Sequence, residues 1–411
     1  MAYIVDPSNP NEPINSRGAT QGAEELRALK GLLQTLIGGG AAFPISSLKK
    51  NAILGGDFDT NPWQRGINFV GIANNAYSAD RWKYLKVGTM IEDATQTVDA
   101  PFIGAALKNR TMDIFAQNCF QLNVTTAEAV LGAGDYSRES QYIEGYNFKL
   151  FARVPLVLSF WHKHTKVGTY CVAFRNAGAA PPVADRSYIA EYTQAVSDVW
   201  EFEAIAIPAS PAAGTWNYTN GTGLEVSFCR GSGATFQTPP NVWTIGNFLA
   251  SANQVNSLDV IGNKFRIDLV QLELGTISTK FERRSIQEEL LLCQRYFWKT
   301  FDQGVTPAQN IGLGVGSGSL ISYFASIAGA TQNGLHVSFT VPMRVAPAAP
   351  ITYNPSAANA KWRNITLGAD SGVTGISNTI GNRGFMLQNP QVAGDLAGNL
   401  ISVHATADAE L

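Results

Sequence analysis

Between residues 49 and 284 the chain is a succession of short runs in which apolar side chains fall at every second place. Val154 to Trp161, Thr169 to Phe174, Val199 to Ile207 and Leu224 to Phe228 are rich in β-branched and aromatic residues, and Gly, Pro, Asn and Ser separate them. No helical pattern of useful length interrupts the series. Strands of this kind bury their apolar faces by packing sheet against sheet, which predicts an antiparallel β-sandwich of the jelly-roll type. In KFRIDLVQLELG the apolar phase runs Phe265, Ile267, Leu269 and then shifts to Val270, Leu272, Leu274, so a bulge is expected near Leu269.

The flanks read differently. Residues 1–18 are rich in Pro, Asn and Ser, cannot bury enough surface alone to offset chain entropy, and are expected to order on a partner. Leu26, Leu29, Leu33 and Leu36 then form a stripe with Glu24, Glu25, Arg27 and Lys30 off it, which predicts a short helix stopped by Gly38, Gly39 and Gly40. A helix this short is marginal alone. With no apolar face in its flanks, the expectation is a parallel threefold bundle, hence a homotrimer. Composition points the same way: 45% of the 411 residues are hydrophobic and only 15% charged, against about 25% charged in ordinary soluble domains. Downstream, RRSIQEELLLCQRYFWK is the clearest helix signal, with Ser285 and Glu288 fitting a capping box. Short strands such as LISYFASI, LHVSFTVPM and NLISVHATA follow it. The predicted fold is therefore mainly β: an anchoring peptide and trimerisation helix at 1–48, a sandwich at 49–284, then a linking helix and a smaller C-terminal β-sandwich at 285–411.

Several functions find no support in the residues. A net charge of −2 from 30 basic and 32 acidic residues leaves no basic stripe, so nucleic acid is not expected. No apolar run approaches the ~20 residues of a membrane span, and the first residues lack a secretory pattern, so a soluble chain is expected. Cys119, Cys171, Cys229 and Cys293 include no CxxC pair. Asp57, Asp59 and Asn61 alternate like the start of an EF-hand, but Pro62 and Asn68 stand where its glycine and glutamate belong. His162 and His164 in WHKH share a face of what reads as an exposed strand and make an incomplete metal site. GLGVGSGS does not meet dinucleotide spacing, and no GxSxG occurs. Glu191, Asp198, Glu201 and Glu203 are candidates for a glycosidase pair, whose partners meet only in the fold.

A set of motifs carries a resemblance. NAILGGDFDTNPWQRG, YSADRW, LVQLELG with KFERR, ELLLCQRYF, VPMRVAP and ADAEL, in this order from about residue 50 onward, together resemble tail fibre proteins of tailed bacteriophages. The resemblance implies a virion-attached homotrimer, assembled in the host cytoplasm, that recognises a bacterial surface polysaccharide without cleaving it. Residues 1–18 would hold a phage tail or capsid protein. NAILGGDF is also similar to the first strand of carbohydrate-binding jelly-roll modules, in which an acid after the Phe and an Asp on the last strand hold a structural calcium; Asp59 and Asp268 match those positions. Arg65 and Arg81 are expected to tie loops to backbone carbonyls. A sugar ring lays its apolar face on an aromatic side chain while polar groups bond its rim. AGTWNYTNGTG and TYNPSAANAKWRN combine these types in turn-rich surroundings, which makes Trp216, Tyr218, Tyr353, Trp362 and Arg363 the expected glycan residues. Two alternatives stay open: a structural adaptor or head fibre without receptor contact, and a depolymerising tailspike.

Overall fold

The computed structural model describes residues 5–6, 9–13, 51–101, 116–181, 183–313, 317–324, 332–348, 350–374, 376–389 and 396–411. The leucine stripe Leu26, Leu29, Leu33 and Leu36 lies outside the described residues. The chain divides into two compact units, Met1–Lys50 and Asn51–Leu411. In the first, β1 (Val5–Asp6) and β2 (Asn9–Pro13) pair antiparallel.

The alternating runs form twelve strands of a sandwich: β3 (Asn68–Phe69), β4 (Trp82–Val87), β5 (Ile91–Thr97), β6 (Cys119–Thr126), β7 (Tyr136–Glu144), β8 (Leu156–His164), β9 (Gly168–Arg175), β10 (Arg186–Gln194), β11 (Glu201–Ile207), β12 (Thr222–Ser232), β13 (Trp243–Ile245) and β14 (Lys264–Leu274). Sheet I runs β13-β10-β9-β12-β7-β4 and sheet II runs β11-β8-β14-β6-β5-β3, antiparallel throughout. Their inner faces meet in one core that includes Trp82, Phe120, Leu158, Phe160, Val172 and Phe228. The bulge expected near Leu269 is present: the β14–β8 register shifts between Asp268 and Gln271, and Leu269 takes φ +50°. One extra residue returns Val270 and Leu272 to the core, which reconciles the two apolar phases in the sequence.

The histidine pair corrects an expectation. His162 and His164 sit on β8 in phase with Leu158 and Phe160, so they face the core and are fully buried. His162 Nδ1 pairs with Gln194, His164 Nε2 with the Tyr192 hydroxyl, and His164 stacks on Phe265 at 4.4 Å. Burial holds both imidazoles below their ordinary pKa, as neutral core side chains.

The segment before the sandwich packs back on the last strand, and two glycines permit it. Gly55 has φ +63°, and a Cβ at Gly56 would lie 2.3 Å from the Val270 carbonyl oxygen. α1 (Gly145–Phe148) is a single turn at the end of β7. α2 (Ile286–Gln294) begins at Ser285, whose side chain accepts the Glu288 N–H at 3.2 Å, the cap the sequence announced.

Beyond α2 a second core gathers Trp298, Met343, Trp362, Phe385, Ile401 and Val403. Its centre is β23 (Leu400–Asp408), which pairs with β15 (Phe297–Lys299), β16 (Ile321–Phe324), β18 (Ile351–Tyr353) and β19 (Lys361–Asn364); β20 (Ala369–Thr374) pairs with β19, and β17 (Gln332–Ser338), β22 (Gly384–Asn389) and β21 (Ile376–Gly381) form a three-stranded sheet in that order. The two cores are joined by the motifs that carried the resemblance. Arg81 lies over the Tyr296 ring at 3.5 Å, donates to the Tyr142 carbonyl and pairs with Glu410. Arg65 lies over Phe297 at 3.8 Å and pairs with Asp408 at 3.0 Å and Glu410 at 3.3 Å. Arg344 donates to the carbonyls of Ala409 and Glu410, Arg295 grips Glu144, and the Tyr77 hydroxyl donates to the Leu411 carbonyl. Arg81 thus ties its loop to a backbone carbonyl, that of Tyr142 on β7, as expected, and meets Glu410 as well, whereas Arg65 meets carboxylates.

Candidate functional site

The turn-rich segment between β11 and β12 places two of the expected glycan residues side by side. Phe148, held fully buried by α1, offers its ring to both: Trp216 stacks on it at 5.3 Å and Tyr218 at 6.1 Å. Trp243 of β13 meets Trp216 edge-on at 5.7 Å and Tyr188 at 5.6 Å. The indole N–H groups are tied down, Trp216 to the Ala213 carbonyl and Trp243 to the Pro208 carbonyl, both at 3.1 Å. Asn217 Oδ1 accepts the Thr219 and Gly221 N–H groups and so fixes the turn that carries Trp216 and Tyr218. The three aromatics remain half-buried, so the end of the sandwich presents a stepped aromatic surface whose parts cannot easily reorient. Trp243 was not singled out in the sequence; its short apolar run between an Asn and a Gly was its only signal.

The second expected stretch behaves otherwise. TYNPSAANAKWRN is not one loop but β18 and β19 with a turn between them, in which the Gln309 side chain accepts the Asn354 and Ala360 N–H groups. On β19 neighbouring side chains point to opposite faces. Trp362 consequently enters the C-terminal core at 0% exposure and offers no face to a sugar, which corrects that assignment. Arg363 points the other way and pairs with Asp370 at 2.9 Å. Tyr353 is half-buried against Phe301 and, with Arg65, Phe297, Pro307, Ala348, Ile351, Thr406 and Asp408, lines a groove of about 340 Å³. The structure therefore brings Trp216 and Tyr218 together and leaves Tyr353, Trp362 and Arg363 with the other core.

Asp59 and Asp268 do lie at the junction of first segment and last strand, but they do not fit a calcium cage. Asp59 already accepts the Gln117 and Asn118 N–H groups, the Asn118 side-chain amide and Arg283, at 2.8 to 3.1 Å. That fills the carboxylate. Arg283 also donates to Asp57, at 2.5 Å from Nε, and supplies the positive charge that the arrangement calls for. Asp268 is fully buried, accepts the Leu269 N–H at 2.8 Å through Oδ1 and has no hydrogen bond at Oδ2. Burial, then Asp57, push its pKa well above the carboxylate range, which lets it persist as a neutral acid. Among the described residues no group of three or more His, Cys, Asp or Glu forms a metal site.

Three of the four carboxylates considered for hydrolysis are committed to neighbouring groups. Glu191 accepts Asn253 Nδ2 at 2.9 Å and the Ser251 hydroxyl. Glu201 caps the Ala195 and Val196 N–H groups, and Asp198 takes Arg266 at 2.6 Å. Glu203 has its pKa raised by burial, with a smaller contribution from Glu201.

No family model and no curated protein matches the chain. Among solved structures, the enzymatically active domain of bacteriophage CBA120 tailspike protein 4 is similar at 17% identity and TM-score 0.29; the match covers 55% of this chain and 21% of that one. TmCBM61 in complex with β-1,4-galactotriose is similar at 10% identity and TM-score 0.26, over 55% of this chain and 100% of that one. The family 11 carbohydrate-binding module of Clostridium thermocellum Lic26A-Cel5E is similar at 10% identity and TM-score 0.27, over 50% and 95%.

Proposed function

We propose that this chain is the receptor-binding part of a bacteriophage particle, attached through residues 1–18, trimeric through residues 20–37, and specialised to grip bacterial surface glycans without cleaving them. The observation that carries the recognition step is the aromatic surface at the end of the sandwich. Phe148 holds Trp216 and Tyr218, Trp216 and Tyr188 hold Trp243, and the two indole N–H groups are bonded to backbone carbonyls, so a sugar ring settling on these side chains costs little side-chain entropy. The motifs resembling tail fibres supply the setting. The reading without catalysis rests on the carboxylates above, three of which are committed to neighbouring groups.

Purified protein is to be bound to host cells and to the same cells stripped of surface polysaccharide, with an assay for released oligosaccharide. Binding only to intact cells, with nothing released, is the expected result. Trp216→Ala is expected to weaken binding at least tenfold while the thermal midpoint moves little, because the side chain sits at the edge of the core. Equal binding to both cell preparations refutes glycan recognition, and released sugar favours a depolymerase. Light scattering at micromolar concentration should give three times the chain mass; a monomer refutes the bundle.

A further inference from the structure

The outer faces of the two sheets are not equivalent. On sheet I, Leu249 and Ala250, with Phe236 and Phe248 beside them, cover Cys171, Ala173, Ile189 and Cys229. On sheet II the outer face carries an ordered row. Lys163 stands opposite Arg266, Arg266 opposite Gln121, and Gln121 opposite Thr95, so four neighbouring strands present polar side chains in line. Two residues before Lys163 on β8, and so in phase with it, Trp161 stands opposite Phe202 of β11, with ring centroids 5.4 Å apart. Two carboxylates close the row from its end. Asp99 accepts Lys163 Nζ at 2.9 and 3.1 Å and the Trp200 indole N–H at 3.2 Å, and lies 3.3 Å from Arg266 Nε. Asp198 accepts Arg266 Nη1 at 2.6 Å, and Arg266 Nε donates to Gln121 at 2.8 Å.

Burial within this group is graded. The Arg266 side chain is 6% exposed, whereas that of Asp198 is 52% exposed and Phe202 is 38% exposed. Asp198 is also held at φ +58°, a conformation that Asp tolerates better than most residues. An exposed carboxylate and an exposed aromatic ring are thus positioned by a largely buried guanidinium and a half-buried indole. Lys163, Arg266 and Lys264 are matched on this face by Asp99, Asp198 and Asp93, Lys264 and Asp93 both standing opposite Asn123, which leaves donors and acceptors without net charge.

We propose that this face of sheet II is a second glycan subsite, selective for neutral hexopyranose residues. It rests on the reading that the chain binds glycans, and adds a separate place and a sugar class. The ring's apolar side lies on Phe202 and Trp161, its hydroxyls donate to Asp198 and accept from Lys163, and the cancelled charge gives no gain to a uronic or sialic acid. The stretch from Trp200 to Pro208, which contains β11 and ends where Trp243 is anchored, spans about 26 Å at ~3.3 Å per residue. The two surfaces therefore engage different residues of one polysaccharide and strengthen each other by proximity.

The test uses the full chain in affinity gels containing either the neutral or the acidic fraction of host surface polysaccharide, separated by anion exchange. Wild-type protein is expected to be retarded by the neutral fraction. Phe202→Ala and Asp198→Asn are each expected to weaken that retardation about tenfold. Asn tolerates the same backbone conformation and keeps an oxygen for Arg266, so an unchanged thermal midpoint in D198N shows that the loss is not misfolding. Wild-type retardation by both variants, alongside its loss in Trp216→Ala, overturns this subsite and leaves the end surface standing. Preferential retardation by the acidic fraction overturns the neutral-sugar assignment. No retardation of wild-type protein in either gel overturns glycan binding itself.

Discussion

Glu139 is fully buried inside the sandwich, with only the Ser78 hydroxyl donating to Oε1. Burial pushes its pKa up to about 8 from an ordinary 4.5. The folded chain therefore keeps a proton that the unfolded chain releases, and stability falls as pH rises from about 4.5 to about 8. The slope is at most about 1.4 kcal/mol per pH unit. Glu139→Gln cannot ionise, so its melting temperature is expected to exceed that of wild type at pH 8 and to match it near pH 4.5; parallel curves across that interval refute the assignment. Nothing in RESQYIE marks this carboxyl, because it is buried by the facing sheet and the groups that act on it, Ser78, Arg230 and Glu92, are distant in sequence. Trp362 teaches the same lesson from the other side. Its neighbours Asn359, Lys361 and Arg363 gave it a polar, loop-like setting, but strand alternation, not composition, decides which way a side chain points.

At the scale of elements the sequence was more informative, since period two and a phase slip are local signals. The strands of the sandwich, the bulge at Leu269 and the cap at Ser285 all follow from residues within a few places of each other. The fastening of the first segment onto β14 was only half legible. Asp59 and Asp268 were visible, but the cation that meets Asp59 is a side chain from residue 283, which bridges it to Asp57 and is brought there by the irregular segment between β14 and α2. Arg283→Ala leaves Asp57 and Asp59 without that charge and is expected to cost about 1–3 kcal/mol, read as a lower urea midpoint. A chelator is expected to leave the wild-type melting temperature unchanged. A fall of several degrees on chelation would show that a metal, not Arg283, fastens the strand.

For the whole molecule, what matters is how the two cores are held together. Residues scattered from position 65 to position 411 converge on one joint, including a buried Arg81–Glu410 pair with Tyr296 beneath the guanidinium. Breaking a buried pair on one side leaves the other charge without a partner, which is costly by about 3–5 kcal/mol. Arg81→Ala is therefore expected to split a single calorimetric transition into two, the sandwich melting above the C-terminal part; one cooperative transition at a lower temperature would mean that the cores depend on each other through other contacts.

The position of β23 also bears on the order in which the protein can be made. Four other strands pair with Leu400–Asp408, yet among the described strands this one leaves the ribosome last. The sandwich has all its strands once residue 274 has emerged. β15, β16, β18 and one edge of β19 must then wait unpaired for a partner still inside the exit tunnel. Such a delay makes nascent chains of the C-terminal part natural clients for chaperones, and makes its strands the place where neighbouring chains on one messenger are most prone to pair with each other.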